Sequence, residues 1–91
     1  MYKISETVRA THGQDGAVIL DIRQGRVLRV NVTGSFILQC VQRGETESQI
    51  ADGISQRFCI SREVAQADVG EFLNSMELEG LVYIPAPTVS L

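Results

Sequence analysis

The stretch DGAVILDIRQGRVLRV, residues 15–30, decides the fold. Residues 15–22 alternate. Val18, Leu20 and Ile22 share one face, and Ala17, Ile19 and Asp21 share the other, which is the period-two signature of a strand. RQG at 23–25 interrupts the pattern, and Gly25 can take the positive φ of a short hairpin loop. RVLRV at 26–30 returns, with Leu28 and Val30 on one face and Val27 and Arg29 on the other. The segment reads as an antiparallel hairpin with Val18, Leu20, Leu28 and Val30 turned to the core. Upstream, YKISETVRA at 2–10 is weakly strand-like. It can pair only with the far side of 15–22, which leaves 26–30 as an edge strand.

Beyond Val30 the period changes from two to between three and four. Thr33 is placed to cap a helix over 33–43, with Phe36, Ile37, Cys40 and Val41 as its apolar stripe and Gly44 as its stop. Thr46-x-x-Gln49 matches a capping box for a helix over 46–58 carrying Ile50, Ala51, Ile54 and Phe58. Ser61 is the next cap, with Glu63 in the first turn. The helix over 62–79 sets Ala65, Val69, Phe72, Leu73 and Met76 on one side before Gly80 ends it. Gly70 inside it is either a point of close backbone approach or of no consequence. LVYI follows as a short strand or packing segment, and Pro85 and Pro87 mark a loose tail. The class is α+β: a three-stranded antiparallel sheet followed by three helices, winged-helix-like. One domain spans 1–84, with a flexible tail over 85–91. The expected core is Val18, Leu20, Leu28, Val30, Phe36, Ile37, Ile50, Ile54, Phe58, Phe72, Leu73 and Met76.

Composition narrows the function. The 91 residues are 44% hydrophobic and 21% charged, as in an ordinary globular domain. No run is apolar for long enough to span a membrane, and the N-terminus lacks a secretory signal pattern, so the expected setting is cytoplasmic. Cys40 and Cys59 sit in apolar patterns and read as buried, reduced thiols. With His12 as the single histidine there is no metal-ligand set, and no base stands beside a nucleophile. Charge is uneven. Residues 1–43 carry six basic and three acidic residues, and residues 44–91 carry two basic and eight acidic ones. Arg23, Arg26 and Arg29 crowd one short segment.

These residues resemble the PqqD-like family, which includes coenzyme PQQ synthesis protein D and the stand-alone leader-binding proteins of lasso-peptide pathways. The resemblance covers about residues 15 to 82. It is carried by the strands around Asp21 and Gly25, by Asn31-x-Thr33-Gly34, by Ala67-Asp68-Val69, by Phe72-Leu73 and by Glu79-Gly80-Leu81. Val32 departs from it, standing where the family usually has proline. The resemblance implies a non-catalytic recognition module without a cofactor. Such a module binds the N-terminal leader of a ribosomally made precursor peptide. The leader would add a strand to the sheet edge, lie between the third strand and the third helix, and be presented to a leader peptidase or modifying enzyme. A lasso-peptide pathway and a monomeric protein are the expectation.

The implied peptide-binding residues are Arg23, Arg26, Val27, Leu28, Arg29 and Val30 on the strand side, and Val64, Asp68, Glu71 and Phe72 on the helix side. For the arginines, protection of a free edge against aggregation is the competing explanation. For Asp68, it is an ion pair with an arginine of the third strand. Either Val27 and Arg29, or Leu28 and Val30, present outward backbone groups. The alternative function is a winged-helix DNA-binding regulator. The third helix argues against it, because Glu63, Asp68, Glu71, Glu77 and Glu79 outnumber Arg62 and would repel phosphates.

Overall fold

The computed structural model describes residues 1–86. Two short strands, β1 (Lys3–Ile4) and β5 (Val82–Tyr83), pair with each other. The main sheet comprises β2 (Val8–Gly13), β3 (Gly16–Asp21) and β4 (Arg26–Val30), antiparallel in the order β2-β3-β4. Three helices follow: α1 (Val32–Gln42), α2 (Glu47–Phe58) and α3 (Arg62–Leu78). The α+β class, the sheet-then-helices order and the edge position of 26–30 agree with the sequence reading. Residues 87–91, and with them most of the expected tail, lie outside the described residues.

The first strand starts later than expected. Lys3 and Ile4 belong to the small β1–β5 ribbon, while the strand beside β3 is Val8–Gly13. Gly13 and Gly16 close a two-residue hairpin loop, and Gly16 has φ 130°. Its missing side chain matters, because a Cβ there would lie 2.0 Å from the carbonyl oxygen of Val30.

The expected inward face of β3 is wrong. Ala17, Ile19 and Asp21 are buried, whereas Val18, Leu20 and Ile22 are 42%, 43% and 55% exposed. The reason is register. A loop of three residues, 23–25, would pair Ile22 with Arg26. The structure pairs Asp21 with Arg26 across a four-residue loop. One residue of slip turns every side chain of a strand to the opposite face. Leu28 and Val30 do face inward, opposite Ile19 and Ala17. The outer face of the sheet is left with Val18, Leu20, Val27, Arg9 and Arg29.

The helix signals are written locally. Thr46 and Gln49 form a reciprocal capping box on α2, and Ser61 caps α3. On α1 the cap is Asn31 rather than Thr33: its Oδ1 accepts from the Gly34 amide at 2.8 Å. α1 covers the inner face of the sheet, where His12 Nδ1 lies 2.6 Å from the buried Ser35 Oγ. Ile19, Ile37, Ile50, Ile54, Val69 and Leu73 form the centre of the core, joined by Leu81 and Val82 from the last strand region. Leu28, Val30, Phe36, Phe58, Phe72 and Met76 are half-buried at its margin. Gly70 has open space where a Cβ would stand.

Cys40 is buried, and burial pushes its thiol pKa up, which keeps it protonated and unreactive. Cys59 is exposed, contrary to expectation. It ends α2 in the left-handed region with φ 55°, past the last core-facing turn.

Candidate functional site at the free edge of the sheet

Among the described residues, β4 has β3 on one side and no strand on the other. The direction of its backbone groups follows from the neighbouring ladder. The Ile22 amide donates to the Thr7 carbonyl at 2.9 Å, so residue 22 faces β2. In an antiparallel strand a residue's N–H and C=O point the same way, and the direction alternates along the chain. Val18, Leu20 and Ile22 therefore turn their backbone groups to β2, and Ala17, Ile19 and Asp21 turn theirs to β4. Across the register, Arg26, Leu28 and Val30 bond back to β3. The N–H and C=O groups of Val27 and Arg29 are left pointing out from the edge. The side chains of these two residues are exposed, Val27 at 68%.

Next to the Val30 end of β4 is a cleft of about 420 Å³ between the start of α1 and the middle of α3. Gly34, Ile37 and Phe72 supply its apolar part, and Asn31, Thr33, Asp68, Glu71 and Ser75 its polar part. Gly34 is required here. A Cβ on it would lie 2.7 Å from the Phe72 ring and 3.1 Å from the Val30 Cβ, so the glycine lets α1, α3 and the end of β4 meet.

At the other end of β4, Arg26 reaches two partners. Nη2 donates to Asp21 Oδ2 at 2.9 Å and to the Glu79 carbonyl at 2.8 Å, and Nη1 donates to the Glu79 carboxylate. Asp21 is 4% exposed. Its hydrogen bond from Arg26 is the largest of the effects that hold its carboxyl below the usual carboxylate range. The same bond raises the Arg26 pKa.

The residues singled out in the sequence therefore divide. Asp68, Glu71 and Phe72 line one cleft, which adjoins the Val30 end of β4 through Gly34. Leu28 and Val30 lie below the edge, with side chains turned inward. Val64 is 51% exposed, one turn before Asp68. Arg23 sits exposed in the loop between β3 and β4, outside the strand. Asp68 makes no ion pair among the described residues; the arginine of this strand that does pair is Arg26, with Asp21 and Glu79. Sequence reading did not place Asn31, Thr33, Gly34, Ile37 and Ser75 in the cleft. The Asn31-x-Thr33-Gly34 motif was the available signal for three of them.

Both the edge and the cleft fall within the stretch of the chain that a family model matches. The family model of coenzyme PQQ synthesis protein D, PqqD, matches residues 16–82. The chain belongs to this family. No curated protein matches it by sequence. Among solved structures it is similar to TbiB1 in complex with the TbiA(beta) leader peptide, at 26% identity and a TM-score of 0.84, over 93% of this chain and 99% of that one. A lasso peptide synthetase B1 complexed with the leader peptide gives 20% identity and a TM-score of 0.83, over 91% and 98%. The PqqD truncation of Methylobacterium extorquens PqqCD, described as a stand-alone recognition element for ribosomally synthesised and post-translationally modified peptides, gives 19% and 0.76, over 91% and 88%. At those last two identities the likeness establishes the fold.

Proposed function

We propose that this protein is a non-catalytic adaptor of lasso-peptide biosynthesis. It binds the leader segment of a ribosomally made precursor and presents it to a separate leader peptidase or modifying enzyme. The leader adds to β4 as an antiparallel strand and rests against α3. The observation that carries this reading is the pair of outward backbone positions, Val27 and Arg29, on a strand whose Val30 end adjoins a cleft lined by Phe72, Asp68 and Glu71. Unpaired edge groups are a standing template for another strand, and pockets beside them give selectivity. Membership of the PqqD family and the likeness to leader-bound TbiB1 support the same reading. The DNA-binding alternative gains nothing from the geometry. Arg62, the one basic residue of α3, is tied to Asp52 on α2.

The test is a titration of labelled TbiA(beta) leader peptide and, in parallel, of labelled duplex DNA. The account expects saturable binding of a leader and none of DNA. Arg29→Pro sharpens it. Proline is tolerated on an edge where the lost donor faces outward, so this variant should fold and bind the leader far more weakly. A folded Arg29→Pro protein with wild-type affinity would point to docking on the helices alone.

A further inference from the structure

We propose that Arg26 is a positioning residue and not a peptide contact: it is a strut between the start of the edge strand and the end of α3, and it sets the spacing between β4 and α3 where the peptide docks. The proposal rests on the peptide-docking reading above.

An arginine has five N–H donors in a rigid fork. Here Nε and Nη2 go to Asp21, Nη2 also goes to the Glu79 carbonyl, and Nη1 goes to the Glu79 carboxylate. Little of the fork is left for a ligand. Both anchors are fixed. Asp21 is 4% exposed, pairs directly across the sheet with Arg26, and accepts from the Gln24 amide at 3.3 Å, which holds the hairpin loop. Glu79 is the C-cap of α3, where a cation also meets the negative end of the helix dipole. At its far end β4 is pinned a second time, through Val30 on Gly34 and Gly34 on Phe72. The edge strand is thus held to α3 at both ends, and the outward positions Val27 and Arg29 lie between the two pins.

Removing Arg26 opens one pin without dismantling the helix end. Ser5 holds it independently, its hydroxyl donating to the Gly80 carbonyl at 2.8 Å and its amide to the Leu81 carbonyl at 3.0 Å. What is lost is the fixed spacing. An edge whose spacing from α3 is set beforehand needs less ordering when the peptide docks.

Spin labels at Val27→Cys and Leu78→Cys, in a Cys59→Ser background, read the spacing directly. Both side chains are largely exposed, at 68% and 81%. A single narrow distance distribution is expected with Arg26 present, and a broader or longer one in Arg26→Met. Arg26→Lys, which cannot hold both partners in one fork, should fall between. Glu79→Ala removes only one arm and serves if Arg26→Met does not fold; it too should broaden the distribution. Arg62→Met, which breaks a remote pair, should leave it unchanged. In binding of labelled TbiA(beta) leader peptide, Arg26→Met should lose about tenfold in affinity, equally at low and high salt, since the loss is in preorganisation and not in charge attraction. Unchanged distance distributions in both Arg26→Met and Glu79→Ala would overturn the strut. If the unmodified protein bound no leader at all, the docking reading would fail while the distances still judged the strut.

Discussion

Replacing Ile19 by alanine should destabilise the protein heavily, and replacing its neighbour Leu20 should not. Ile19 is 1% exposed and sits against α1 at the centre of the sheet's inner face, opposite Leu28. Truncating a fully buried isoleucine removes its transfer free energy and leaves a cavity, about 2–5 kcal/mol. Against a total of about 5–14 kcal/mol for a chain of this length, the middle of that range is a large share. At about 4–8 °C per kcal/mol for a small domain, a loss of ~3 kcal/mol lowers the melting midpoint by roughly 12–24 °C. Leu20 is 43% exposed on the outer face. Much of its side chain is in water already, so Leu20→Ala should cost about 1 kcal/mol or less, a few degrees. Thermal and urea unfolding of the two variants side by side is the assay. Equal losses, or the larger loss at Leu20, would refute the register that turns Ile19 inward and with it the outward direction of Val27 and Arg29.

Three further outcomes follow from the same geometry. Gly34→Ala forces a Cβ to within 2.7 Å of the Phe72 ring; it should cost about 1–3 kcal/mol in chemical unfolding and also weaken leader binding by displacing Phe72. Arg29→Glu should weaken leader binding by only ~0.2–1 kcal/mol, as exposed charges do, and more at low salt than at high salt; a salt-independent loss would mean that Arg29 acts through packing. Asp21 has a depressed carboxyl pKa in the folded protein, so its contribution is fully present above the ordinary carboxylate pKa and is lost as pH falls through the lower folded value; unfolding followed down the acid range should show a slope that Asp21→Asn reduces, and an identical slope in that variant would assign the acid sensitivity elsewhere.

The parts of this fold legible in the sequence are those fixed by local chemistry. Thr46 and Ser61 cap helices because their side chains accept from amides three residues on, Gln49 answers by accepting from the Thr46 amide three residues back, and the spacing alone states it. The edge position of 26–30 followed from chain order. The face of β3 was not legible, because Ala17-Val18-Ile19-Leu20 offers apolar side chains to both sides. Only the four-residue loop at 22–25 selects between them. The same ambiguity left the outward backbone positions of β4 open, since they depend on the identical register. Asp68, Glu71 and Phe72, which the family resemblance singled out, line the cleft together, and Val64 does not. The role of Arg26 was hidden for another reason: its partner Glu79 is 53 residues away, and nothing in the spacing announces that contact.

Residue-resolved amide hydrogen exchange, with and without a bound leader peptide, tests strand addition on β4 most directly. In the free protein the amides of Leu28 and Val30 should be protected by β3, while those of Val27 and Arg29 exchange freely. Binding should slow Val27 and Arg29 strongly and change Leu28 and Val30 much less. Saturable binding that left the Val27 and Arg29 amides exchanging at their free rates would contradict the account.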